Sequence, residues 1–154
     1  MATLALVTGL AAALVGGIFF AFSTFVMTAL GRLPAARAIA AMQSINVAVL
    51  NPWFFAAFFG TAAASIALAL FGLLDWGAPE AVYLVSGSLL YLLGCLLVTV
   101  VFNVPLNHGL AGVEPGSAVG AEVWGRYLSA WTTWNHVRTA ASLAAAAAFV
   151  MAPG

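Results

Sequence analysis

Three stretches of this chain, Ala2 to Gly31, Pro52 to Leu74 and Ala81 to Phe102, contain no charged residue. Each reaches the roughly 20 residues that an α-helix needs to cross a hydrocarbon core. Such runs must lie either in lipid or in a large protein core. A chain of 154 residues, 65% hydrophobic and 5% charged, cannot build that core and still cover it; soluble chains average about 25% charged residues. Four arginines, four acids and no lysine leave lipid as the solvent for most of the surface. The zero net charge also excludes nucleic acid as a partner. One cysteine, Cys95, rules out an intramolecular disulfide and reads as an inert core thiol.

The first run lacks a basic start and exceeds the roughly 7–15 apolar residues of a secretory signal. The second opens with Asn51-Pro52, a good helix start because proline in the first turn loses no needed donor. Asp75 to Glu80 supplies the turn into the third. A fourth span requires arithmetic. If the last helix ends near Met151, a crossing of about 20 residues reaches back to Thr132. Asn135, His136 and Arg138 then lie inside the bilayer, with Arg138 about 10 Å below one face. Ala140, Ala144 and Ala148 would let a neighbouring backbone approach, as would Ala13, Gly17 and Ala21 on the first helix. The same faces would also suit a second copy of the chain.

The expected fold is all-α: an integral membrane four-helix bundle forming one transmembrane domain over residues 1–154. Its spans fall near 3–30, 52–74, 81–103 and 124–151, with an additional amphipathic helix over 35–50 between spans one and two. The segment Val104 to Gly120, rich in glycine and proline, reads as loop. Arg32, Arg37 and Arg126 occupy two links and Asp75 and Glu80 the other. The positive-inside rule therefore predicts a plasma (inner) membrane protein with the arginine-bearing links cytoplasmic and both termini outside.

Polar groups are costly in hydrocarbon, so their distribution points to a site. Asn103 and Asn107 end the third span, Gln43 and Asn46 sit on the link helix, Asn51 starts the second span, and Asn135, His136 and Arg138 start the fourth. All approach the same end of the bundle, which predicts a polar cavity opening there. Trp124, Tyr127, Trp131, Trp134 and Arg138 follow one another at steps of 3 and 4, a single helical stripe. One reading is a flat aromatic wall for a planar ligand with a guanidinium at its foot. The other is an interfacial aromatic belt with a snorkelling arginine. Arginine at depth costs about 2.5–3.5 kcal/mol, and no acid lies within a span. Unless Glu114 or Glu122 folds back, Arg138 would be held by amides, carbonyls or water and would await an anion.

His136 lies about 100° round the helix from the stripe and is either a base or a bridge between helices; His108 sits at a loop edge. With Glu114 or Glu122 the two histidines would make a two-His-one-carboxylate metal site, or they would ligate a haem. No metal-ligand spacing occurs, and the primary expectation is no cofactor and no metal. Phosphate-loop, dinucleotide and nucleophile-elbow motifs are missing too. The hydroxyls of Ser23 and Thr24 are expected to bond back to their own helix, although Ser23 is within reach of the cavity.

At these residues the chain resembles the anthrone oxygenase family of small four-span membrane proteins. The likeness runs through Phe20 to Val26, Ala29 to Pro34, Ala41 to Asn46 and Asn51-Pro52. Its most specific pieces are Asn103-Val104-Pro105-Leu106-Asn107 and Trp131 to Arg138. His108 stands where an acidic or amide residue is usual, and Thr28 where proline is common. The resemblance implies oxidation of an anthrone-like, planar lipophilic aromatic by O2. In that reading Arg138, Asn103, Asn107 and His136 are catalytic, with His136 as base. Trp131, Trp134, Asn135, Asn46, Gln43 and Tyr127 bind substrate. The rival readings are a non-catalytic membrane protein that binds a quinone, a haem or another small molecule, and a purely structural membrane subunit.

Overall fold

A chain surrounded by hydrocarbon has to satisfy its backbone hydrogen bonds within itself, and helices do so. The computed structural model describes residues 1–152 and is all-helical, with no strand among them. Helix α1 covers Ala2–Gly31, α2 Ala35–Ala48, α3 Pro52–Leu74, α4 Ala81–Ala111 and α5 Ala118–Met151. Among the described residues α1, α3 and α4 are the helices long and apolar enough to cross a membrane. The expected fourth span is also a helix, 34 residues long. Its polar stretch from Glu122 to Arg138 sets it apart from the other three. It lies along α1 for most of its length and touches α4 on its other side, so its neighbours shield Tyr127, Asn135 and Arg138, while Glu122, Arg126, Thr133 and His136 stay exposed.

Close approach of α1 and α5 depends on small residues, but not the expected ones. A Cβ added to Gly16 would meet Leu143 Cδ2 at 2.9 Å and Ser142 Cβ at 3.2 Å, and one added to Gly9 would meet the Ala146 carbonyl at 3.2 Å. Gly17 faces open space, and Ala140 and Ala144 are exposed. In an alanine-rich helix several stripes share the same spacing. The stripe carrying Ser142 and Phe149 turns inward because it buries a hydroxyl and an aromatic ring.

A second difference concerns Val104 to Gly120. The helix of the third span continues through Pro105 to Ala111, and α5 already begins at Ala118 behind a Ser117 cap, whose Oγ accepts from Gly120 N at 2.9 Å. Only residues 112–117 are not helical. Proline normally breaks a helix by clashing with the carbonyl four residues back. Here the preceding turn, Thr99–Asn103, is widened to π-helical geometry, which relaxes that conflict. A second wide segment covers Leu90–Leu97, and α1 has one at Phe22–Val26.

Asn51 caps α3 through Oδ1, which accepts from Phe54 N at 3.0 Å, with Pro52 following as expected. Gln43 on α2 donates through Nε2 to the carbonyls of Leu110 (2.8 Å) and Val113 (3.1 Å), satisfying the end of α4 and the loop after it. At the acidic-loop end, α3 and α4 form a tight hairpin, with Ser88 Oγ on the Ser65 carbonyl (2.7 Å) and Tyr91 OH on that of Phe58 (3.0 Å). Towards the arginine-bearing end they separate: α3 packs on α4 as far as Leu97 and has at most glancing contact with it beyond Thr99. The wedge this leaves is roofed by α2.

Candidate functional site

A cavity of about 290 Å³ fills that wedge. Its walls are Phe19 and Phe22 from α1, Phe54, Phe55, Phe58 and Phe59 from α3, and Trp131 from α5. Polar side chains enter at Asn46, Thr99, Asn107 and Arg138. Spacing explains who arrives. Phe54, Phe55, Phe58 and Phe59 are at i, i+1, i+4 and i+5, one face of a helix. Thr99, Asn103 and Asn107 are four apart on α4, so they form a row.

Arg138 is 4% exposed and forms the floor. Its Nη2 donates to Asn135 Oδ1 at 2.7 Å and its Nη1 to Thr99 Oγ1 at 3.2 Å. The guanidinium lies 4.1 Å from the Phe19 ring centre and 5.0 Å from that of Trp131, within cation–π range. No carboxylate among the described residues compensates it. Among the described residues the only ion pair is Arg126 with Glu122 at 3.6 Å, on the surface. The fold-back of Glu122 therefore does not occur, and the arginine is held by amide, hydroxyl and ring. Its Nε is buried without a partner among the described residues.

Asn135 is fully buried and acts from behind. While Oδ1 receives Arg138, Nδ2 donates to the Phe19 carbonyl and to Ser23 Oγ, both at 2.7 Å. Ser23 in turn shares a hydrogen with Thr139 Oγ1 at 3.0 Å. Ser23 thus bonds across to α5 and not back to its own helix, whereas Thr24 does bond back, to the Phe20 carbonyl at 2.7 Å. The Asn135 contact falls where α1 changes from α to π register, a place where carbonyls lose their regular donors.

The asparagines on α4 divide. Asn107 lines the cavity, its Oδ1 accepting from Tyr127 OH (2.8 Å) and Trp131 Nε1 (2.9 Å). Asn103 is buried one turn deeper, donates to the Trp131 carbonyl at 3.2 Å, and its Oδ1 has no partner among the described residues. On the roof, Asn46 Nδ2 reaches Tyr127 OH at 3.5 Å, so Asn46, Tyr127 and Asn107 form one polar cluster.

The expected stripe does not stay on one face. Trp124, Tyr127 and Trp131 are buried and stack in sequence, with ring centres 5.7 and 6.1 Å apart, but only Trp131 borders the cavity. Trp134 turns aside and stacks on Phe102 at 3.6 Å beside a shallower outer groove. A mean step of 3.5 drifts about 20° per two turns against a straight helix. The inward line therefore runs Trp131, Asn135, Arg138. Gln43 is spent on the end of α4 and does not line the cavity. His136 and His108 are both exposed, and neither lines it. Among the described residues no three His, Cys, Asp or Glu gather as a metal site, so the two-His-one-carboxylate grouping does not form. Cys95 is fully buried.

Sequence reasoning missed the phenylalanine face of α3, Phe19, Phe22 and Thr99. The i, i+1, i+4, i+5 phenylalanines and the four-residue rhythm ending at Asn107 were signals for them.

Fold and site together define a class: an all-helical bundle suited to a membrane, with an aromatic pocket around a buried cation. A family model described as anthrone oxygenase matches residues 53–148, and the chain belongs to that family. The match includes Asn103, Asn107, Trp131, Asn135 and Arg138 and stops short of α1 and α2. No curated protein and no solved structure matches the chain.

Proposed function

We propose that this protein is a membrane-embedded oxidoreductase that converts a planar, lipophilic, anthrone-like ketone to a quinone with O2, in the pocket at the arginine-bearing end. The observation that carries this reading is the guanidinium of Arg138, held by neutral groups at the foot of an aromatic cavity. A substrate enolate would complete its coordination. The volume, near the lower end of the roughly 300–1,000 Å³ usual for small-molecule sites, suits a few fused rings.

The step balances without an added reductant. Loss of the ring methylene proton gives an enolate whose oxygen faces Arg138, with Asn107 Nδ2 as a second donor. The carbanion carbon forms a bond to O2, giving a peroxide anion that takes a proton back. The hydroperoxide then loses water, its O–O bond breaking as the ring carbon gives up its remaining hydrogen, and a carbonyl remains. Substrate is oxidised by four electrons and O2 reduced by four. His136, on the outer surface, is not placed to take the first proton, and none of the lining residues is a histidine, carboxylate or lysine. The cation would instead lower the substrate's own pKa, so that the proton is lost to water as binding occurs.

Arg138→Met, purified in detergent, should lower anthrone-dependent O2 uptake and quinone formation by about 100-fold or more while the helical spectrum is kept. Uptake equal to the parent protein overturns the proposal. Cofactor-free chemistry has its own check: the purified protein should show neither a Soret band nor stoichiometric metal. The lack of a proton acceptor in the lining favours, as a second reading, non-catalytic capture of an anionic aromatic. A ligand-induced thermal shift with no product under O2 would select that reading.

A further inference from the structure

The cavity is walled on most sides, and where it is open the rim is apolar. Leu50, Phe55, Phe59 and Val100 border it and are 62%, 39%, 51% and 55% exposed. Phe55 and Phe59 of α3 and Val100 of α4 flank the gap where these helices separate beyond Leu97, and Leu50, just before α3, bounds it at the end of that helix. Phe59 lies about 10 Å along α3 from Pro52, and Val100 about 16 Å from the end of α4, so the gap extends from the start of α3 well along both helices. The end of the cavity nearest the helix termini is closed differently. There Tyr127 donates to Asn107 at 2.8 Å and receives Asn46 at 3.5 Å, a polar latch beneath the roof helix α2.

We infer that the gap between the diverging halves of α3 and α4 is a lateral portal, through which a planar lipophilic molecule with one acidic oxygen passes from the hydrocarbon directly to Arg138. This deepens the functional proposal and rests on it for the ligand's chemistry. Two features select that occupant over a phospholipid chain. The rim and walls are largely aromatic, which suits flat rings, and the path ends at a cation that a hydrocarbon tail cannot engage. A route from water would instead be rimmed by polar groups, and those present are bonded to one another across the opening. Phe59 and Val100 then set how fast and how bulky a ligand can enter, without touching the reacting atoms.

The test measures binding without turnover. Protein in lipid nanodiscs, under anaerobic conditions, is mixed with anthrone, and the change in tryptophan fluorescence, to which Trp131 in the cavity wall contributes, is followed by stopped flow. Val100→Phe, which narrows the gap, should slow association by about tenfold, and Phe59→Ala, which widens it, should accelerate association. Leu70→Phe, equally lipid-exposed but far along α3, should leave the rate unchanged. Opposite signs from two substitutions cannot arise from misfolding. If neither rim variant alters the rate, the portal is wrong. If acyl chains that copurify block anthrone until they are stripped, the gap is a lipid seat and the inference is also wrong. Because O2 is absent, the outcomes are separable. Rates unmoved by the rim with turnover intact sink the portal alone. Rim-dependent binding with no quinone under O2 sinks the oxygenase reading alone.

Discussion

At the scale of single residues, the most consequential side chain besides Arg138 is Asn135, which never touches the cavity. It spends its oxygen on the guanidinium and both amide hydrogens on α1. Removing a buried partner leaves the others unsatisfied at about 1–3 kcal/mol each. Asn135→Ala should therefore destabilise the protein by several such increments, seen as a large fall in Tm. Asn135→Asp is more discriminating. It keeps an oxygen for Arg138 and supplies the negative charge reserved for ligand, while giving up the bond to the Phe19 carbonyl. The helices should survive while binding of an anionic aromatic is lost, measured by anaerobic titration with anthrone. Retained binding in Asn135→Asp would remove charge from the account of recognition. Trp134 makes the complementary point: stacked on Phe102 beside the outer groove, it should tolerate replacement by leucine with little change in anthrone affinity.

At the scale of elements, helix contacts rest on a few positions where a side chain will not fit. Gly16→Val would push into Leu143 and Ser142, whereas Gly17→Val points into open space. The first should lower Tm by several degrees and the second should not, a contrast read directly by thermal unfolding in detergent. Gln43→Ala should fray the end of α4 and the loop 112–117, raising amide exchange there without altering the cavity walls. These elements also show what a sequence reveals. A charge in hydrocarbon is so costly that spans are written as uncharged runs, and the ends of α1 and α3 could be read almost to the residue. Amides at one end of three helices and a link likewise point to a common cavity, and Asn46, Asn107 and Arg138 do line one. What stayed hidden depends on helix register. Pro105 looked like a break because nothing in the letters marks the widened turn before it. Trp134 looked inward because steps of 3 and 4 cannot tell a straight helix from a supercoiled one. Which stripe of α5 faces α1 is not legible because alanine is common all round that helix. Ser23 looked self-contained because its partner lies 112 residues away.

At the scale of the whole molecule, the bundle is tight at one end and spread at the other. The hairpin of α3 and α4 is pinned by Ser88 and Tyr91 near the acidic loop, and their opposite ends are kept apart. Tyr91→Phe deletes the bond to the Phe58 carbonyl and should cost about 1 kcal/mol of stability, read from denaturation. The aromatic walls do not depend on that hydroxyl, so anthrone affinity should hold. The family match begins at Trp53, but the site does not. Phe19 and Ser23 steady the floor, and α2 closes the top, so an excised 53–148 fragment would lack both.

The scarcity of proton acceptors around the pocket carries a kinetic corollary. With no side chain to share the abstraction, reactivity across a series of ring-substituted substrates should follow the electron demand of the substituents steeply, as in a Hammett plot for free ionisation. Deuterium at the reacting carbon should then slow turnover as it slows the uncatalysed exchange. An enzyme of this design would choose among look-alike molecules less by outline than by how readily each one becomes an anion.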